Sequence, residues 1–128
     1  MKWTILQLFG WLFLLLSIST IYFALTVTSV DNLFWLSNWA LALIGIGLIF
    51  KLPRLIASQL NIILIPHLFW TIDFVYILLF RQPLWGITDY FFETTHLLLN
   101  IASLSHVLLY PVGLYALFVY GLQSTDFW

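Results

Sequence analysis

The chain has 128 residues, of which 63% are hydrophobic and only 7% are charged, and its formal net charge is −1. A soluble domain carries about 25% charged residues, so this composition excludes an ordinary water-exposed surface and indicates a lipid bilayer as the solvent. Only four lysine and arginine residues are present, which excludes a nucleic-acid patch, and the lack of cysteine excludes disulfides and thiolate chemistry.

Four apolar segments, each long enough for a bilayer crossing of about 20 residues, follow one another along the chain. The first exceeds the apolar core of a signal peptide, about 7–15 residues, and lacks a small-residue cleavage pattern, so we expect it to be retained. The sequence predicts an all-α integral membrane protein, a four-transmembrane-helix bundle that forms a single transmembrane domain over residues 1–128. The expected helices cover about residues 3–28, 33–50, 55–80 and 95–121.

Small and polar side chains mark one face of each of the first two predicted helices. Gln7, Gly10 and Ser17 recur at helical spacing in the first, and Asn38 and Gly45 share a face of the second. Without side-chain bulk, helices in lipid approach closely and gain dispersion contacts and interhelical hydrogen bonds. These two faces therefore predict tight helix packing.

Charged residues predict the orientation of the bundle. With four crossings, Lys2, Lys51 and Arg54 lie on the same side of the membrane as both termini. The opposite side holds an interfacial loop over residues 81–94, with a single cation at Arg81. By the positive-inside rule both termini face the cytoplasm or its organellar equivalent, and a cell inner membrane is not distinguished from an organelle membrane.

The third segment carries the strongest signal of a polar interior. Pro66 lies inside it, removes one backbone hydrogen bond and is expected to bend the helix. His67 follows directly, and Asp73 lies six residues further on. A carboxylate in a crossing costs about 2.5–3.5 kcal/mol on insertion scales unless it is paired, hydrated or protonated. Asp73 is therefore a candidate functional residue that needs a partner inside the bundle.

The last segment carries a polar seam at steps of three and four residues, which places its members on one flank of a helix. Since the third and fourth predicted helices are antiparallel, residues equally far from the 81–94 loop lie at similar depth. By this count the two histidines sit near the bilayer middle, and Asp73 lies level with the first polar residues of the last helix. We expect one intramembrane polar cluster between these helices: His67, Asp73, Asn100, Ser103, His106 and Tyr110.

Four interpretations of this cluster are open. Its members bind each other and fix the helix pair, or Asp73 and the histidines form a proton or ion path. Alternatively, His67 and His106 face each other as axial ligands of a haem or as ligands of a metal ion. An intramembrane enzyme would use Ser103 or Ser105 as nucleophile and His67 or His106 as base, although no G-x-S-x-G elbow is present.

The expected function is packing or assembly within a larger membrane complex. We expect such a non-catalytic role in preference to an enzymatic one. The part of the chain outside the predicted helices is too small to form a catalytic domain. The 20% aromatic content provides surfaces broad enough to pack against partner helices. The expected partners are the lipid bilayer and other membrane subunits or further copies of the chain, without nucleic acid. The alternatives are an intramembrane polar site that handles protons, a metal ion or haem, and an intramembrane enzyme.

Overall fold

The structure, a computed structural model, describes residues 4–26, 36–93 and 97–121. Over these residues the backbone is helical apart from short connecting segments. The helices of the described part are α1 (Ile5–Thr26), α2 (Leu36–Phe50), α3 (Pro53–Phe80), α4 (Asp89–Glu93) and α5 (Leu97–Tyr120). The predicted all-α class is confirmed for this part of the chain.

Three of the described helices are long and apolar enough to cross a membrane: Ile5–Thr26, Pro53–Phe80 and Asn100–Tyr120, with mean hydropathies of 2.1, 2.0 and 1.6. α2 has 15 residues, which is about 22 Å of helix at 1.5 Å per residue and less than a bilayer core of about 30 Å. These lengths and compositions indicate a helical membrane protein. The fourth crossing and the cytoplasmic placement of the termini stay predictions.

Some predictions fall on residues outside the described part of the chain. They include Lys2 and the predicted helix ends at residue 3, at 27–28, at 33–35 and at 95–96. Among the described ends, α3 begins at Pro53, two residues before its predicted start, and ends at Phe80 as predicted. Proline is accepted in the first turn because the N–H that it lacks would have no intrahelical partner there.

α2 and α3 both end at a basic residue in the left-handed conformation. Lys51 has φ 56° and Arg81 has φ 59°. The Leu52 N–H donates to the Gly47 carbonyl over 2.8 Å, and the Arg81 N–H donates to the Ile77 carbonyl over 2.9 Å. A cation just beyond the last turn also suits the negative end of the helix dipole. The chain therefore turns from α2 into α3 within two residues.

α1 and α2 pack antiparallel and approach most closely at two glycines. A Cβ placed on Gly10 or Gly45 would lie 2.8 Å from the carbonyl oxygen of the other glycine, a backbone atom that cannot rotate away. Farther along the same interface, the Ser17 hydroxyl donates to the Asn38 carbonyl over 2.8 Å. The two small-residue faces predicted from the sequence therefore meet, as close approach in lipid requires.

Side chains from both neighbouring helices bind the last turn of α2. The Tyr120 hydroxyl of α5 donates to the Leu48 carbonyl over 2.9 Å, and the Gln7 amide of α1 donates to the Ile49 carbonyl over 3.0 Å. The last four carbonyls of a helix lack intrahelical partners, and in lipid an unpaired carbonyl is costly. These two bonds tie α1 and α5 to α2 at one end of the bundle.

Removing the Tyr120 hydroxyl is expected to weaken the attachment of α5 to α2. Tyr120→Phe keeps the ring and deletes the hydroxyl, which donates to the Leu48 carbonyl and is also a hydrogen-bond partner of Thr4. The free energy of unfolding should therefore fall by about 0.6–1.7 kcal/mol, as for other interhelical bonds in membranes. Tyr115→Phe is the control, because Tyr115 lies on the same helix and is 56% exposed. Reversible unfolding in mixed micelles measures both variants, and equal effects would contradict a bond specific to Tyr120.

Candidate functional site

The register between α3 and α5 is set by contacts around Leu60. The Tyr110 hydroxyl of α5 donates to the Leu60 carbonyl, and a Cβ added to Gly113 would meet the Leu60 methyl carbons at 3.0 and 3.1 Å. The two helices run in opposite directions. His67 lies seven residues after Leu60 in α3, and His106 lies four residues before Tyr110 and seven before Gly113 in α5. This register brings His67 level with His106.

The rings of His67 and His106 are neighbours between α3 and α5, with centroids 6.1 Å apart and planes inclined by 10°. The Tyr110 ring lies 4.8 Å from the His67 ring, and the Trp70 ring lies 5.4 Å from the His106 ring. His106 is only 7% exposed, whereas His67 is half-buried. The structure thus brings together three members of the predicted cluster and adds Trp70; these four residues are called the histidine seam below.

One nitrogen of His106 is bonded to its own helix. Its Nδ1 lies 3.2 Å from the Ala102 carbonyl oxygen and 3.1 Å from the Ser103 carbonyl oxygen. Carbonyl oxygens only accept, so Nδ1 carries the proton and, in the neutral imidazole, Nε2 holds a lone pair. His106 therefore offers a hydrogen-bond acceptor at Nε2, an atom that takes no hydrogen bond from the described residues.

Three further polar atoms of α3 and α5 are buried without a hydrogen-bond partner among the described residues: His67 Nδ1, Thr71 Oγ1 and Asn100 Oδ1. An unpaired polar group in apolar surroundings costs about 1–3 kcal/mol. Asn100, a member of the predicted cluster, thus contributes a buried oxygen and no described contact with the carboxylate of Asp73. These atoms mark the α3–α5 pair as the polar part of the bundle.

Asp73 binds partners other than those predicted for it. Its side chain is fully buried, and one oxygen accepts from the Leu84 and Trp85 N–H groups over 3.2 and 2.8 Å. The other oxygen accepts from the Thr88 N–H and hydroxyl over 2.8 and 2.9 Å. A loop that stayed at the interface would leave Asp73 facing α5, but the chain folds back onto α3 after Phe80. The carboxylate therefore binds the connection between α3 and α4 instead of the last helix.

The two candidate nucleophiles bind partners other than a histidine. The Ser105 hydroxyl donates to the Ala102 carbonyl, and the Ser103 hydroxyl is a hydrogen-bond partner of the Tyr90 phenol. That phenol also accepts from Trp70 Nε1 over 2.9 Å. Among the described residues neither serine is activated by an imidazole, which a serine nucleophile requires. Tyr90 is a neighbour of the seam that the sequence does not predict, since its one signal is its place in a polar run after Gly86.

Tyr90 belongs to α4, outside the long helices. Burial raises the pKa of the Tyr90 phenol above its usual 10.0, and hydrogen bonds with Ser103 and Trp70 offset part of the rise. The neutral phenol therefore contributes its full stability below pH 10.0, and this contribution is lost as the pH rises through the higher folded-state pKa. The difference in phenolate absorbance between the wild-type protein and Tyr90→Phe should titrate above pH 10.0. Titration at or below that pH would contradict the buried position of Tyr90.

A cleft of about 180 Å³ adjoins the histidine seam. Besides His67, Trp70 and His106, its walls include Ser37 of α2, Ile63 and Pro66 of α3, and Ile87 of the connection. Pro66 and Ile87 are exposed on the outer side of the bundle. The cleft therefore opens on a surface that lipid would cover, and its lining is mostly apolar apart from the two imidazoles and Ser37.

The dimensions of the cleft bear on the haem and metal alternatives that the sequence leaves open. The cleft, at about 180 Å³, is smaller than the sites of about 300–1,000 Å³ that enclose a cofactor or a small molecule, so it does not enclose a haem. A metal ion fits the ring separation, because an ion–nitrogen bond of about 2.0–2.1 Å to each imidazole allows centroids about 6 Å apart. However, no group of three potential metal ligands occurs among the described residues. Two neutral imidazoles would leave the charge of the ion uncompensated inside the membrane.

Comparison of the chain with known protein families, with curated proteins and with solved structures gives no match. The chemistry of the seam itself consists of one acceptor nitrogen on His106, a second imidazole on His67 and the apolar cleft beside them.

Proposed function

We propose that this membrane protein binds a small ligand at the histidine seam. The proposal is supported above all by the combination of an available acceptor on His106 with a cleft that opens beside the same ring. A polar group whose only role is packing would bind the neighbouring helix, as Tyr110 binds the Leu60 carbonyl. The proton of His106 is instead directed to its own helix, and the second nitrogen takes no hydrogen bond from the part of the chain that the structure describes.

The composition of the cleft supports the same proposal. Ligand sites are concave and mostly apolar, with a few polar groups that orient the ligand. Ile63 and Trp70 supply apolar walls, and the two imidazoles supply polar groups. The four hydrogen bonds of Asp73 fix the connection that contributes Ile87 to the rim. Asp73 is therefore a positioning residue for the site.

Photo-crosslinking in liposomes tests the proposal. The probes are alkyl chains with a diazirine near the polar end and different neutral heads, and labelled residues are mapped by mass spectrometry. We expect labelling to concentrate on the cleft walls at Ile63, Pro66 and Ile87, compared with the lipid-facing residues of α1. Labelling that follows surface exposure alone, with no enrichment at the cleft, would contradict the proposal.

Two tryptophan substitutions provide a matched pair for this experiment. Ile87→Trp adds bulk at the rim of the cleft and should reduce cleft labelling several-fold. Leu104→Trp adds the same ring to an exposed position of α5 that does not line the cleft, and should leave the labelling unchanged. Equal loss in both variants would indicate a general disturbance of the bundle instead of a filled site, and would count against the proposal.

The apolar outer surface of α3 supports a second candidate function, assembly into a larger membrane complex. Beyond the level of His67, residues such as Leu68, Ile72 and Leu79 are exposed. A partner helix would bury this face and gain dispersion contacts. Native mass spectrometry after mild extraction tests this candidate, because a complex with other subunits or further copies is expected. A stable monomer without partners would contradict it and would leave the ligand-binding proposal intact.

A further inference from the structure

We infer that the ligand of the histidine seam is a membrane amphiphile whose hydroxyl head donates a hydrogen bond to Nε2 of His106. This inference rests on the proposed function and names the chemical class of its ligand. A long-chain alcohol is the simplest member of the class. The proton position on His106, the walls of the cleft and the place where the cleft opens each contribute to the assignment.

The proton on His106 decides the direction of the hydrogen bond. Nδ1 faces the carbonyl oxygens of Ala102 and Ser103, so it is the donor and Nε2 is the acceptor. A ketone, ester or ether head would set its oxygen lone pairs against that of Nε2. A hydroxyl donates to Nε2, and its own oxygen remains free to accept from the Ser37 hydroxyl on the α2 wall of the same cleft.

The walls of the cleft exclude a charged head. The described residues that line the cleft include no lysine and no arginine, and the carboxylate of Asp73 on α3 already accepts four hydrogen bonds from the connection. A phosphate, carboxylate or ammonium group would therefore be desolvated without a counter-charge, which is costly inside a membrane. A neutral hydroxyl is desolvated at a much lower cost and regains one hydrogen bond at His106.

The size and opening of the cleft point to the bilayer as the source of the ligand. About 180 Å³ is less than the 300–1,000 Å³ or so that encloses a whole small molecule. The cleft therefore holds the head and the first part of a chain. Pro66 and Ile87, which line the cleft, are exposed on the outer side of the bundle, a surface that lipid would cover. The rest of the alkyl chain then stays in lipid, while the head and the first part of the chain enter the protein.

A matched pair of probes tests the inference in liposomes that contain the full chain. One probe is a long-chain alcohol with a diazirine near the hydroxyl, and the other is its methyl ether with the diazirine on the same carbon. At equal concentration the alcohol should label the cleft walls about five- to tenfold more than the ether, the factor expected for one hydrogen bond. His106→Phe keeps an aromatic ring and removes the acceptor, so both probes should label this variant equally. His67→Phe retains His106 and should retain the preference for the alcohol.

A measurement on the wild-type protein covers the case in which His106→Phe does not fold. Nitrogen-15 spectra of histidine-labelled protein in bilayers should show the alcohol shifting Nε2 of His106 while Nδ1 stays in place, and the ether should shift neither. Equal labelling of the cleft by both probes, or no shift of Nε2 with the alcohol, would overturn the inference and leave the ligand-binding proposal standing. No enrichment of either probe at the cleft would overturn both.

Discussion

Replacing Asp73 with asparagine is expected to lower the free energy of unfolding by about 3 kcal/mol, because two buried donors lose a charged acceptor and a hydrogen bond to a charged group contributes about 1.5–3 kcal/mol. The carboxylate is fully buried and accepts four hydrogen bonds from Leu84, Trp85 and Thr88. An asparagine keeps one acceptor oxygen. Its N–H₂ group takes the place of the other oxygen and faces the two donors that this oxygen accepted from in the wild-type protein. Two donors of the connection then lose their partner at a buried position, where each unpaired group is costly.

Amide hydrogen exchange and unfolding in mixed micelles measure this effect together. In Asp73→Asn the amides of Leu84, Trp85 and Thr88 should exchange faster than in the wild-type protein. Thr88→Val is the control, since it removes only the hydroxyl bond and should cost about 1 kcal/mol. Unchanged protection of these amides in Asp73→Asn would contradict the binding of the connection by this carboxylate.

Gly45→Ala is expected to cost about 2 kcal/mol, within the range for overpacked interiors. The added Cβ would lie 2.8 Å from the Gly10 carbonyl oxygen and 3.1 Å from the Leu14 backbone nitrogen. Both neighbours are backbone atoms of α1, so the whole helix must move to admit a methyl group. We expect α1 and α2 to separate and the contacts along their interface to weaken.

Gly113→Ala is the matched control for this substitution. Its added Cβ would lie closest to the Leu60 side chain, with the methyl carbons at 3.0 and 3.1 Å, and a side-chain end can rotate away. Both changes add the same helix propensity, so the difference between the two free energies of unfolding isolates the backbone contact. A cost for Gly113→Ala as large as for Gly45→Ala would contradict the close approach of α1 and α2.

Much of the fold is predictable from the sequence because its causes are local. The length of an apolar run and a proline or basic residue at its end predict where α3 begins and ends, near Pro53 and at Phe80. Glycines at helical spacing leave a signal as well, and the faces of Gly10 and Gly45 meet as expected. Whether α2 crosses the membrane does not follow from the apolar run alone, because the described helix is shorter than a bilayer core.

The site is predictable only where counting along helices suffices. His67 and His106 lie on antiparallel helices, so their depths can be counted from the connection, and the structure places their rings side by side. The partners of Asp73 cannot be counted in this way, because they are mainly backbone N–H groups that every residue type carries. Their positions depend on how the connection folds back, including the positive φ of 76° at Gly86. The position of Tyr90 is equally hard to predict, since its hydrogen bond with Trp70 also depends on how the connection folds back.

The protonation of His106 in a bilayer tests the central claim most directly. Nitrogen-15 solid-state spectra of histidine-labelled protein, assigned by replacing each of the three histidines in turn, report which ring nitrogen carries the proton. We predict a proton on Nδ1, a bare Nε2, and through-space contact between the rings of residues 67 and 106. A proton on Nε2, or two rings with no contact between them, would contradict the ligand site described for α3 and α5.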